Sequence, residues 1–468
     1  MSYTNLKRLE FWVLLVCGLA WIHAAAGEGL LALVLAAIPG AGMLTAAIGF
    51  VMFPGDPGTA RTGAFGAAIG IIMAVPLLLV EPATALGLAA AAIAGVAACG
   101  LIGAEAVPVP EGLEAPMHTP RLGLEVGVDE VVLGIAAVTM GVFSSGGQAE
   151  AARETEDALD WFDQNGWSKD PSRFHQSPEP LDSGEILFEP RSVSGLAMEA
   201  MSFESGFVAR PEGPGAKRYM DCAPCRRAWA WVVRGDEKAP WLVNVHGLSM
   251  GMPWLDLKVL QAAMLHRELG LNLVFPVLPF HGPRGLGRVS GRGYLTGNVM
   301  DTIHAQSQAI WDIRRIIGWL WAQGAERIGV HGVSLGGYTA ALIASLEQGL
   351  RCAIAGIPAA NPAWLIWWHA SQQARRDSVA AGLTEDMVER ALRVVSPLAM
   401  DPQVPGAHRY IYGGLADRFV PPVVVEQLWE HWGQPEICWY PGAHLSILWH
   451  DDAIRFLRRG LESSLIGS

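Results

Sequence analysis

Four long apolar stretches open the chain, at 11–26, 29–53, 63–80 and 83–103. Between Phe11 and Gly103 the only charged residues are Glu28, Asp56, Arg61 and Glu81, and all four fall at the breaks between stretches. A helix of about 20 apolar residues crosses a hydrocarbon core of about 30 Å. The pattern therefore predicts four membrane-spanning helices over 1–104, rich in Gly and Ala as close helix contacts in a bilayer allow. Lys7 and Arg8 before the first apolar run, with Ala24-Ala25-Ala26 after it, also fit a signal peptide. The further apolar stretches favour an anchor. Lys7, Arg8 and Arg61 place their segments inside, so four crossings would leave the rest of the chain in the cytoplasm. One more apolar run, Val131–Phe143, has 13 residues and follows Asp129 and Glu130. It is short for a span and predicts an amphipathic or core helix; were it to cross, the C-terminal region would lie outside.

Past residue 104 the pattern changes twice. Residues 105–200 form a connector, extended through Pro108, Pro110, Pro116 and Pro120, helical over Ala149–Phe162, and irregular over Asn165–Pro190. From 201 onward short apolar runs alternate with helical ones. Strands are expected at Phe203–Ala209, Arg227–Arg234, Trp241–Val245, Leu271–Val277, Arg327–Val330, Cys352–Ile357, Arg409–Tyr412 and Glu436–Tyr440. Helices are expected at Leu255–Leu269, Asp301–Trp321, Tyr338–Leu346 and Asp451–Leu461, with a mostly helical insertion at Pro358–Pro397. Such alternation predicts an α/β domain over 201–468, a mainly parallel sheet covered by helices on both faces.

Composition sharpens this. Of 468 residues 51% are hydrophobic and 17% charged, which points to membrane segments. A net charge of −12 argues against nucleic acid as a partner. The six cysteines include one C-x-x-C, Cys222–Cys225. Zinc usually needs four ligands, and a redox pair would want a preceding strand, so a solvated hairpin is expected there. No metal or organic cofactor is implied.

The candidate chemistry lies near Arg327–Gly337, RIGVHGVSLGG. Gly332-Val333-Ser334-Leu335-Gly336 stands between a buried strand and an Ala-rich helix. That is the setting of a nucleophile elbow, in which the serine sits on a strained turn and the glycines avoid collisions. Downstream, Asp417 and then His444 each follow a strand, with Asp401 as a rival acid and His450 as a rival base. Upstream, Trp241–Val245 runs into His246-Gly247-Leu248. From Phe203 onward the chain resembles the α/β-hydrolase superfamily, in particular its membrane-anchored serine esterases and lipases. The elbow departs mildly from the commoner pattern in carrying His331 before the first glycine and Val333 before the serine. The resemblance implies an α/β-hydrolase fold with a helical cap insertion, here preceded by an N-terminal transmembrane helical region. It implies Ser334 as nucleophile, His444 as base, Asp417 as the acid orienting it, and the backbone N–H groups of Leu335 and Leu248 as oxyanion donors. Ester hydrolysis through an acyl-enzyme is expected, but acyl transfer and peptide cleavage use the same triad, and a silent scaffold would keep the fold without the reaction.

Other residues carry expectations of their own. His246, His281 and His331 at strand ends are expected to be hydrogen-bonded structural histidines. Pro279–Arg292, with Arg284, Arg288 and Arg292 among glycines, is expected to be a solvated loop. Trp364, Trp367 and Trp368 in the insertion are candidates for lining an acyl pocket, with membrane lipids and a lipid-like acyl ester as the implied partners.

Overall fold

In the computed structural model, residues 5–26, 29–139, 147–295 and 298–467 are described. The apolar stretches form α1 (Leu9–Ala24), α2 (Leu30–Met52), α3 (Pro57–Leu77) and α4 (Pro82–Glu105). Proline begins two of them, and Asp56 caps α3 by accepting from the Gly58 N–H at 3.1 Å. Among the described residues, three helices are long and apolar enough to cross a membrane, over Leu33–Met52, Gly58–Leu77 and Pro82–Glu105. The 16 residues of α1 rise only about 24 Å. Small residues let these helices approach closely: a Cβ on Gly42 would stand 2.9 Å from the Gly66 Cα. Leu19, Ile48, Ile72, Leu79 and Ile93 point outward and exposed, an arrangement suited to lipid.

A fifth helix, α5 (Pro120–Thr139), begins 11 residues before the expected apolar run; residues 140–143 of that run lie outside the described residues. It is not among these three helices. It packs on α4 through glycines: a Cβ on Gly100 would meet the Gly123 carbonyl oxygen at 1.8 Å and the Gly127 nitrogen at 2.5 Å. Asp129 and Glu130, which precede the apolar run, and Glu125 one turn earlier are all buried. One unit of the chain comprises residues up to Thr139 together with Gly414–Val423 and Trp439–His450.

The other unit is built on the sheet. Its strands are β1 (Leu187–Val193), β2 (Leu196–Glu204), β3 (Arg227–Val233), β4 (Trp241–Val245), β5 (Asn272–Val277), β6 (Ile328–Val333), β7 (Cys352–Gly356) and β8 (Arg409–Gly414), with β9 (Glu436–Tyr440) at the far edge. The order among the described residues is β1-β2-β3-β5-β4-β6-β7-β8-β9. β1, β2 and β3 pair antiparallel, and the pairs from β5 through β4, β6 and β7 to β8 are parallel. This is the α/β-hydrolase fold. The sheet starts earlier than the expected residue 201. Ser194 and Gly195, with φ of 53° and 73°, make a two-residue hairpin turn between β1 and β2, the turn type that matches strand twist.

Most other expected elements form within a few residues of the expected bounds, but of the strand expected at Phe203–Ala209 only Phe203 and Glu204 are in a strand, at the end of β2. The helix expected at Leu255–Leu269 is instead broken, into Pro253–Val259 and a wider turn at Met264–Glu268, by Gln261 at φ 57°. The insertion holds three helices, Pro362–His369, Gln372–Ala380 and Glu385–Leu392. Its core is shared with the connector: Phe162, Trp167 and Phe174 pack with Ala363, Val388 and Leu392, so the connector helix Gln148–Gln164 is part of the cap.

The α4–α5 contact yields a prediction. Gly100→Val puts side-chain atoms where the α5 backbone stands. Overpacking of this kind costs about 1–3 kcal/mol. Thermal unfolding of the full-length protein in detergent should therefore shift downward, and an unchanged Tm would show that α4 and α5 do not pack this way.

Candidate active site

The strand β6 is buried along its whole length and the helix Leu335–Leu346 begins immediately after Ser334. Ser334 itself has φ 62° and ψ −118°, a conformation that costs a non-glycine residue about 1–3 kcal/mol. The surroundings hold it there. Its N–H donates to the Gly356 carbonyl at 2.9 Å, and its own carbonyl accepts from the Tyr338 N–H at 3.0 Å. The flanking glycines are obligatory: a Cβ on Gly332 would lie 2.1 Å from the Gly336 oxygen, and one on Gly336 would lie 2.0 Å from the Val245 oxygen on β4. The Ser334 side chain is half-buried while its neighbours are buried.

The turn after β4 comes close to the elbow. A Cβ on Gly247 would stand 3.5 Å from the Ser334 Cβ. His246 shapes this turn from within, its Nδ1 2.8 Å from the Gly247 oxygen and its Nε2 accepting from the Leu278 N–H at 3.1 Å. Leu248 follows, and Leu335 opens the helix, where the first amides have no intrahelical acceptor. Ser334, Leu335 and Leu248 thus belong to the sheet unit.

Asp417 and His444 belong to the unit that holds α1–α5, on the loops after β8 and β9. The structure brings these two together. Asp417 Oδ2 is 2.7 Å from His444 Nδ1, and Oδ1 accepts from the Phe419 and Val420 N–H groups at 2.8 and 2.7 Å. Asp417 is fully buried and His444 nearly so, its ring stacked on Phe419 at 4.8 Å. Burial alone would lower the His444 pKa, but the charge and hydrogen bond of Asp417, with Asp129 behind, win and raise it above the ordinary value. Asp401 is exposed and precedes β8, so it is not the partner. His450 lies just before the last helix and is 3.0 Å from Glu125.

His331 and His281 are buried and hydrogen-bonded, as expected of structural histidines. His331 lies 2.6 Å from Asn244 Oδ1 and 2.8 Å from the Tyr412 hydroxyl, and burial drops its pKa to about 3. His281 is fully buried beside His246, and burial holds it well below the usual range. Two expectations need correction. Arg284 is not solvated: it is fully buried, 2.9 Å from Asp312, and donates to the Val277 and Cys225 carbonyls at 2.9 Å each; Arg288 and Arg292 are exposed as expected. The C-x-x-C is a short 3-10 turn with Cys225 buried, not a solvated hairpin. In the cap, Trp364 and Trp368 stack at 5.2 Å, whereas Trp367 packs into the core shared with the connector.

Sequence reasoning missed the carboxylates of α5. Asp129 Oδ2 accepts from the His444 N–H at 2.9 Å, and Oδ1 from the Leu445 N–H at 3.0 Å. Glu125 accepts from the Ser446 hydroxyl at 2.9 Å, and Glu130 pairs with Arg418. Their spacing along one helix was visible, but their partners lie some 300 residues away.

Among known proteins, the chain is 40% identical to Uncharacterized protein MT2702 of Mycobacterium tuberculosis (strain CDC 1551 / Oshkosh) over 360 residues, 76% of this chain and 85% of that one. It is similar in structure to an acetyl xylan esterase from Paenibacillus sp. R4, with TM-score 0.45 and 19% identity over 66% of this chain and 95% of that one. Acetyl xylan esterase 1 from Thermoanaerobacterium sp. JW/SL YS485 gives TM-score 0.43 and 17% identity over 63% and 93%. No known family profile matches the chain. The strand order and the elbow at Ser334 are those of the α/β-hydrolase fold.

Arg284→Met leaves Asp312 buried without its cation. Breaking a buried pair from one side costs about 3–5 kcal/mol. Arg288→Met, at an exposed position, should move stability by no more than about 0.5 kcal/mol. Denaturant unfolding of the two variants checks this, and equal midpoints would refute the buried pair.

Proposed function

Since the chain belongs to the family of that Mycobacterium tuberculosis relative and has the α/β-hydrolase fold, we propose that it is a membrane-anchored serine hydrolase acting on a carboxylic ester. The observation that carries this reading is Ser334 at φ 62° on a G-x-S-x-G turn between a buried strand and a helix. An ordinary turn serine needs neither that conformation nor glycines wedged against β4. The buried Asp417–His444 pair supports it, because a serine alcohol needs a base.

In the proposed mechanism, Ser334 Oγ attacks the ester carbonyl carbon as His444 Nε2 takes its proton. Asp417 fixes the tautomer with the proton on Nδ1 and stabilises the imidazolium. The Leu335 and Leu248 N–H groups receive the oxyanion, a contribution worth about 10²–10³ in turnover for one donor. The C–O bond then breaks, His444 returns its proton to the departing alcohol, and a water activated by the same histidine releases the acid from the acyl-enzyme. The apolar helices are proposed to hold the enzyme at the bilayer, where a lipid-like ester is the natural substrate. The stacked Trp364–Trp368 pair is the proposed acyl-contacting surface, and Trp367 supports it from the cap core.

Ser334→Ala is expected to reduce p-nitrophenyl ester turnover by about 10⁴-fold or more with the fold retained. The base must be neutral to act, and its pKa is raised, so wild-type kcat/KM should fall with acid through a midpoint above the ordinary ~6.5. Full activity in the alanine variant would remove the nucleophile. A flat profile from pH 8 to pH 5 in folded protein would remove the histidine.

A further inference from the structure

The loops carrying Asp417 and His444 are fastened to one helix. From α5, Asp129 accepts from the N–H groups of His444, Leu445 and Arg418 at 2.9, 3.0 and 3.3 Å. One turn earlier, Glu125 accepts from the Ser446 hydroxyl at 2.9 Å and stands 3.0 Å from His450 Nε2. Glu130 pairs with Arg418 and lies 3.7 Å from Arg61 of α3. The three carboxylates are 2%, 0% and 0% exposed in chain order. A buried carboxylate is costly unless its oxygens are hydrogen-bonded. Here the donors come from residues that flank both the acid and the base. The apolar face of the same helix packs Leu122 and Val126 against Ala416 and Ala443, each the neighbour in sequence of Asp417 or His444.

We propose that α5 is a positioning element of the active site, with Asp129 as the positioning residue that fixes the backbone of Arg418 and His444 and so the Asp417–His444 hydrogen bond. This rests on the reading of Ser334, Asp417 and His444 as a triad. The helical N-terminal region is then part of the catalytic apparatus and not only an anchor. Asp129 also acts by charge, since its carboxylate favours the imidazolium of His444. Burial and the adjacent Asp417 push the Asp129 carboxyl up to about 7, opposed by His444 and by the Leu445 and His444 N–H donors. The charged groups around His444 are therefore Asp417 and Asp129, with Arg418, Glu130 and Arg61 behind them and Glu125 and His450 beyond.

The test uses full-length protein in detergent and two variants. Asp129→Asn keeps one carbonyl acceptor and removes the charge; Asp129→Ala removes both. Two readouts are taken, the pH dependence of kcat/KM and the ¹³C-histidine NMR titration of His444, assigned with His444→Gln. In Asp129→Asn the His444 midpoint and the acid limb of kcat/KM should both move down by about half a unit or more. In Asp129→Ala kcat should fall by about 10²-fold, as expected when a catalytic group is misplaced. A purely structural residue would lower the melting temperature without moving the titration. If Asp129→Ala does not fold, the asparagine variant carries the test. A wild-type His444 midpoint in folded Asp129→Asn overturns the proposal. If the wild type shows no Ser334-dependent turnover, the catalytic reading fails while the NMR titration still decides the positioning.

Discussion

A serine held at φ 62° is the constraint on which the sheet unit depends. That conformation survives only if the surroundings over-determine it. Gly332 and Gly336 permit the helix Leu335–Leu346 to meet β6 and β4 at distances no side chain allows, and the Gly356 carbonyl accepts from the Ser334 N–H. The buried parallel strands β4, β6 and β7 are therefore in register around one residue. The turn carrying Gly247 and Leu248 comes to the same place because β4 and β6 are neighbours.

Buried charge is the second organising cost, and several instances are met by nearby partners. Arg284 faces Asp312 and two carbonyls; Arg418 faces Glu130; Asp417 and Asp129 collect backbone donors and His444. These groups fix loops that apolar packing alone would leave adjustable. In the proposed enzyme this matters because the acid and base stand on loops, where a displacement of about 1 Å can cost about 10²-fold in rate.

Local patterns made much of this legible. The strand Trp241–Val245, the strand Glu436–Tyr440 and the helix Asp451–Leu461 lie where their periodicity places them. The elbow was readable because strand, glycines and helix are contiguous. The hairpin β1–β2 escaped because β1 is an exposed edge strand interrupted by Pro190, which shows little apolar alternation; only Ser194-Gly195 signals it. Arg284 looked solvated because its neighbours are glycines, and Asp312, the residue that buries it, is on a distant helix. The role of the α5 carboxylates was not legible, because backbone donors 316 positions on leave no trace in local sequence.

The central claim is that Ser334 is an activated nucleophile. Treating the folded, full-length protein with a fluorophosphonate and mapping the adduct by peptide mass spectrometry tests it most directly. A single stoichiometric adduct on the peptide containing Ser334 is the predicted result. An unmodified protein, or an adduct on another serine with Ser334 untouched, would contradict the account.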